Sequence, residues 1–201
     1  MLAVESNQIS IDNLTKKLYN NINIMKHKNR KETIMKNPII KITVRDFGEM
    51  TAELYPDKAP NTVANFLSLI EKDFFSGMIF HRVIKGFMIQ GGGFNESFEQ
   101  QPADEIKGEF LANGFMQNDL RHTRGVLSMA RTQDPNSASS QFFVMHKDAP
   151  HLDAQYAGFG KLTDGFDVLD AIANVKTGRM GWYDDVPKTP VVIDKIEIID
   201  K

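Results

Sequence analysis

Residues 80–93, Phe80-His81-Arg82-Val83-Ile84-Lys85-Gly86-Phe87-Met88-Ile89-Gln90-Gly91-Gly92-Gly93, contain two short apolar runs joined at Lys85-Gly86 and closed by three glycines. The pattern predicts a β-hairpin with a working face. Successive strand side chains alternate between faces, so His81 and Val83 are expected on one side and Phe80, Arg82 and Ile84 on the other. Met88 and Gln90 share a face beyond the turn. One arginine, one glutamine and two large apolar side chains then converge. The pattern leaves a second reading open, a buried hairpin whose Arg82 lays its stem along apolar surface and whose glycines mark a bulge.

Outward from this hairpin the chain alternates like strands. Ile40, Ile42 and Val44 alternate with Lys41, Thr43 and Arg45, and Asp46-Phe47-Gly48 turns the chain into residues 50–55. Asn61 is expected to cap a helix running to about residue 72, with Val63, Phe66, Leu67 and Ile70 as its buried stripe. Residues 93–125 are polar and weakly patterned and read as a long surface excursion. Strands follow at 126–130, 141–145 and 157–162, then a second helix at 165–174 and a last strand at 191–199. With no repeat and no βαβ alternation, the economical arrangement is an antiparallel sheet closed into a barrel.

Composition agrees with a soluble globular protein. The 201 residues suffice for one domain plus an appendage, and 41% apolar with 25% charged residues is ordinary usage. The chain has no cysteine, which excludes disulfides, thiolate metal sites and a cysteine nucleophile and is compatible with a reducing compartment. Residues 1–36 hold seven Lys/Arg against three Asp/Glu, so the remainder is acidic, carrying −6 beneath a net charge of −2. An acidic body argues against nucleic acid as the main ligand. No apolar run approaches a membrane span and no secretory signal is recognisable, so no membrane association is expected and cytoplasmic residence is the default. The basic extension 1–36 reads as disordered or as a short helix through Ile11, Leu14, Leu18 and Ile22, appended to a domain at 37–201.

The order Phe-His-Arg-Val-Ile-x-Gly-Phe-Met-Ile-Gln-Gly-Gly at 80–92 resembles the signature of the cyclophilins, peptidyl-prolyl cis-trans isomerases. Leu127-Ser128-Met129-Ala130-Arg131, Ser140-Gln141-Phe142-Phe143, His151-Leu152-Asp153 and Phe159-Gly160-Lys161 stand in cyclophilin order, with an Ala-Arg-Thr form that looks bacterial. The resemblance covers about residues 38–199. It implies a mainly β fold, a closed eight-stranded antiparallel barrel capped by two helices. It also places Arg82 on the catalytic arginine and Phe87, Met88, Phe143 and Leu152 on the proline pocket. Gln90, Ala130, Arg131 and Gln141 fall on positions that hold the substrate backbone, and His81 on a groove-side structural position. His151 stands where many eukaryotic members carry tryptophan, and Tyr156 where they carry histidine; cyclosporin is therefore expected to bind weakly. The resemblance implies proline-containing peptides and unfolded clients as partners, a monomer, and neither cofactor nor metal.

The chemistry can also be argued directly. Rotation about an X-Pro amide is slow because nitrogen shares its lone pair with the carbonyl, so a catalyst must favour the twisted amide and needs no nucleophile. In the twisted state the prolyl nitrogen becomes basic; a fixed guanidinium can donate to it while an apolar pocket grips the ring. Other chemistries fit less well. The stretch 146–153 offers two histidines and two carboxylates, but a proline-broken loop lacks helical zinc-site geometry. Ser128, Ser139 and Ser140 lack a nucleophile elbow, and no His/Asp pair stands in a recognisable order. A groove that binds proline segments without accelerating their rotation is the rival class.

Overall fold

A computed structural model describes residues 36–200 of the chain; the helix considered within residues 1–36 falls outside the described residues. In chain order the elements are β1 (Ile39–Val44), β2 (Gly48–Leu54), α1 (Pro60–Glu71), β3 (Met78–Ile84), β4 (Met88–Asn95), β5 (Val126–Met129) and β6 (Phe142–Met145). They continue with β7 (Gly158–Asp164), α2 (Phe166–Ala173), β8 (Thr177–Met180), β9 (Tyr183–Pro187) and β10 (Ile193–Asp200). Eight strands make one sheet in the order β10-β1-β2-β7-β5-β6-β4-β3, with every neighbouring pair antiparallel.

The expected closure is incomplete. The sheet curls until its edges meet, but β3 and β10 share no continuous ladder. Gly77 N–H donates to the Ile193 carbonyl and Phe80 N–H to that of Val191, each at 2.9 Å, and Ile79 bridges Val192. Beyond these contacts no ladder hydrogen bonds join the two edges among the described residues. The architecture is thus a curled eight-stranded sheet with two helices.

Both helices pack into one apolar core. Alternating strand residues Ile40, Ile42, Met50, Ala52 and Leu54 point into it with Val168, Leu169 and Ile172 of α2. From α1, Phe66 stands among Phe75, Phe142 and Phe159 with ring centroids 4.9–5.2 Å away, a spacing at which aromatic pairs add to their area burial.

The start of α1 differs from expectation. Its N-cap is Ala59, with Pro60 at the first helical position and no local side-chain cap. The orphan donors are instead met by buried Glu109, whose carboxylate accepts from Asn61 N–H (3.0 Å), Thr62 N–H (2.8 Å) and the Thr62 hydroxyl (2.8 Å). Asn61 is therefore a donor to a distant cap rather than the cap. A carboxylate also suits the positive end of the helix dipole. β8 and β9, a separate two-stranded ribbon, were not anticipated; the segment lacks apolar alternation. Among the described residues no helix is long and apolar enough to cross a membrane.

Candidate active site

The hairpin β3–β4 aims the site, and a bulge decides which side chains it presents. Register slips between Met78 and Phe80 and again between Phe80 and Arg82. Phe80 is consequently fully buried in the main core and Val83 joins it, while Arg82 turns outward to the groove, about half exposed. Strict alternation had put Phe80 with Arg82 and His81 with Val83. The extra residue separates both pairs and leaves His81 and Arg82 side by side on the groove.

The groove measures about 430 Å³ and is lined by His81, Arg82, Phe87, Met88, Gln90, Ala130, Arg131, Gln141, Phe143, Leu152 and Tyr156. Eleven of the twelve residues singled out in the sequence thus meet in one depression. His151 is not among its lining residues but stacks on Phe87 at 5.7 Å, outside the wall that Phe87 forms. The depression also takes in Phe94, Gln100, Tyr183 and Asp184. These were missed because Phe94 and Gln100 fall just past the glycines and the other two lie on the unanticipated ribbon.

One wall is apolar and rigid. Met88, Phe143 and Leu152 belong to a second buried cluster with Val126, Met145 and Ala149, against which Phe87, Ala130 and Tyr156 pack. The Phe143 ring is held between His122, stacked at 6.1 Å, and the edge of Tyr156 at 5.9 Å. Beneath it His122 Nε2 meets the Ser128 hydroxyl at 2.9 Å and Nδ1 meets Asp153 at 3.2 Å. A Ser-His-Asp chain does form, assembled from residues that stand in no recognisable order in the sequence. Ser128 is completely buried beside its cross-strand partner Phe143, so it supports the pocket floor and cannot reach a substrate. Burial lowers the His122 pKa, against the opposing pull of Asp153.

The other wall is polar. Gln90 Nε2 donates to Gln141 Oε1 at 3.0 Å across β4 and β6. Gly93 allows this: a Cβ there would stand 2.4 Å from Gln141 Cγ. Arg131 lies over Tyr156 (4.6 Å) and Phe110 (5.1 Å) and donates to the carbonyls of Thr132 (2.8 Å) and Gln155 (3.0 Å). Among the described residues Arg82 faces only Asp185, with Nε 4.0 Å from the carboxylate. His81 packs on Phe94 at 4.7 Å, and its buried Nδ1 has no hydrogen-bond partner among the described residues. Burial, helped by the adjacent Arg82 charge and opposed by the Ile79 carbonyl, pushes the imidazole down to about 4. At neutral pH the groove therefore holds the Arg82 cation beside a neutral histidine.

The turn between the walls is clasped from below. His146 Nδ1 accepts from Gly86 N–H (2.9 Å), its backbone N–H donates to the Phe87 carbonyl (2.9 Å), and its Nε2 meets Asp170 (3.1 Å). The four groups of the 146–153 loop diverge: Asp148 accepts from Arg124 N–H, Asp153 holds His122, and His151 lies on Phe87.

The sequence model of the family described as "Cyclophilin type peptidyl-prolyl cis-trans isomerase/CLD" matches residues 39–198. The chain belongs to the cyclophilin-type peptidyl-prolyl cis-trans isomerases. It is similar to a peptidyl-prolyl cis-trans isomerase of Acinetobacter baylyi, 46% identical over 159 residues, covering 76% of this chain and 81% of that one. Peptidyl-prolyl cis-trans isomerase B of Escherichia coli is 44% identical over 160 residues, covering 75% and 94%. Among solved structures, a Cryptosporidium parvum cyclophilin superposes with a TM-score of 0.68 at 29% identity, covering 82% of this chain and 99% of that one. In this cyclophilin the family match spans β1 through most of β10, so every strand and loop that contributes a groove residue lies inside it.

Proposed function

We propose that the groove accelerates cis-trans rotation of X-Pro bonds in unfolded or partly folded chains, with Arg82 as the catalytic donor and residues 37–201 as the working domain. The observation that carries this reading is the juxtaposition of an uncommitted guanidinium with a rigid apolar pocket formed by Met88, Phe143 and Leu152. The ring of the substrate proline enters that pocket. Gln90, Gln141 and the Ala130–Arg131 backbone border the path of the flanking peptide and hold its amides.

Rotation then proceeds without covalent chemistry. In the planar amide the prolyl nitrogen offers no lone pair; as the bond twists toward 90° the pair localises, and the Arg82 N–H groups donate to it. That bond exists only in the twisted state and so lowers the barrier rather than merely tightening binding. No metal or proton acceptor enters the step. The absence of cysteine fits a reducing compartment, and cytoplasmic clients are part of this proposal.

A related observation concerns another protein: a Cryptosporidium parvum cyclophilin, 29% identical with a TM-score of 0.67, was solved in the presence of the dipeptide ala-pro. For the present chain the direct test is NMR exchange spectroscopy on an Ala-Pro peptide. Unaided exchange takes tens of seconds or longer; substoichiometric protein should bring it into the range where cis and trans signals exchange during the mixing time. Peptide binding without acceleration would instead identify a proline-binding module.

A further inference from the structure

Three of the six large apolar side chains that stand exposed among the described residues fall between positions 180 and 183. Met180 is 47% exposed, Trp182 91% and Tyr183 45%. They form the tip of the β8–β9 ribbon, where Met180 pairs with Tyr183 and Gly181, at φ +59°, makes the turn. A two-stranded ribbon is marginally stable alone, and this one is anchored through Tyr183, whose ring meets Phe94 at 5.6 Å and Phe98 at 5.2 Å edge-on. Phe94 in turn packs on His81 at the groove. An aromatic path therefore runs from the neighbour of Arg82 to a tryptophan in water.

Neighbouring charges nearly cancel. Arg179 faces Asp184 at 3.7 Å and Asp185 faces Arg82 at 4.0 Å, so the tip offers apolar contact rather than a field of one sign. Tyr183 and Asp184 line the groove itself, which makes the tip continuous with the proline site. Tryptophan and tyrosine at such a position supply large contact area at small entropic cost.

We propose that the Met180–Trp182–Tyr183 tip is an outlying subsite of the groove that takes an apolar side chain of the same client, a few residues from its proline. The inference rests on the reading of the groove as a proline-peptide site. It assigns the ribbon a specificity role: among exposed X-Pro segments the protein favours those flanked by Leu, Phe or Met, the kind that folded proteins bury.

The chain has a single tryptophan, so Trp182 reports on its own surroundings. Two tryptophan-free peptides with one Ala-Pro centre would be compared, one carrying leucines on both sides of the proline and one carrying serines there. On the full chain the leucine peptide should bind about tenfold more tightly, equivalent to about 1.4 kcal/mol, and should shift Trp182 emission to the blue. The serine peptide should leave the emission in place. In Trp182→Ser the ratio of the two dissociation constants should fall from about ten to near one. Met180→Ser should reduce it partially. Equal affinity for the two peptides on the parent, or a leucine preference that survives Trp182→Ser, would overturn the proposal. So would an emission shift that depends on protein concentration alone, which would assign the tip to a second copy, or one reversed by removing residues 1–35, which would assign it to the chain's own extension. Affinity and emission are read whether or not the peptides are isomerised, so loss of the isomerase reading and loss of the ribbon contact give different results.

Discussion

Comparing the parent with His81→Phe between pH 7.5 and 4.5 isolates the most perturbed titration in the groove. His81 is 4% exposed and lacks a partner for Nδ1, and its pKa falls to about 4 from an ordinary 6.5, through burial first and the Arg82 charge second. The folded pKa is depressed, so the unfolded chain takes up the proton first as pH falls. The stability associated with neutral His81 is complete above about pH 6.5 and is lost progressively toward pH 4. For values of 6.5 unfolded and about 4 folded, linkage gives a loss of about 2–3 kcal/mol at pH 4.5 relative to pH 7.5. With a urea slope of about 2 kcal/mol/M, this moves the denaturation midpoint by about 1 M. Other groups act in the same direction: His122 and His146 are also depressed by burial, and Asp170, Asp119 and Glu197 are held low by hydrogen bonds to Arg124, Lys58 and Lys195. They are common to both proteins and cancel in the comparison. His81→Phe keeps a ring packed on Phe94, so its midpoint should fall by about 1 M less over the same interval. Equal falls in the two proteins, or an NMR titration placing His81 near 6.5, would refute the reasoning.

Arg82→Ala should lower kcat/KM by about tenfold to a hundredfold, the scale of a hydrogen bond to a charged group, with a much smaller change in peptide affinity; Arg82→Lys should recover little, and circular dichroism checks that both remain folded. Glu109→Ala should cost about 3 kcal/mol or more in urea denaturation, because two buried donors of Thr62 and the part-buried Asn61 N–H at the start of α1 lose their acceptor, while Glu109→Gln should cost less than half as much. His151→Trp should raise cyclosporin affinity measured by calorimetry, since an indole offers a broader apolar face and a donor beside Phe87; nanomolar binding by the parent, or no change on substitution, would contradict this.

The parts legible in the sequence were those whose partners lie close along the chain or whose pattern is periodic. β1 and β2 alternate cleanly, and the α1 stripe of Val63, Phe66 and Ile70 is buried as the 3.6-residue period requires, with Leu67 only partly covered; the alternation expected of β10 is broken by a register slip against β1 that buries Ile193 and Ile196, three residues apart. What failed depended on a single inserted residue or on distant chain. The Phe80–Arg82 bulge reverses a face assignment that a period of two cannot detect. Glu109 caps a helix 48 positions upstream, beyond the reach of any local capping rule. The β8–β9 ribbon is held by Tyr183 against Phe94 and Phe98 rather than by apolar alternation. Its groove residues Tyr183 and Asp184 therefore had no signal in composition or spacing. Ser128, His122 and Asp153 likewise come together only because the loop before β5 folds back over that strand and the 3-10 turn at Pro150–Leu152 brings Asp153 to His122.

Two arginines border the groove, and sequence alone gives no physical reason to choose between them. The structure separates them by what their donors already do. Arg131 spends its guanidinium on the carbonyls of Thr132 and Gln155 at 2.8 and 3.0 Å, with its faces against Tyr156 and Phe110. To donate to a substrate nitrogen it would first have to break bonds of equal quality, which cancels the gain. Arg82 is bound by no hydrogen bond among the described residues and faces one half-exposed carboxylate at 4.0 Å, a contact that in solvent is worth little. Its backbone is positioned by the bulge beside Gln90, which is tied to Gln141, so the donor is aimed at the groove yet uncommitted. A transition-state donor needs this combination, since a bond already formed in the ground state does not lower the barrier. Under the proposed function, Arg131 is then a strut for the backbone at Ala130, and the proposed catalytic donor is Arg82.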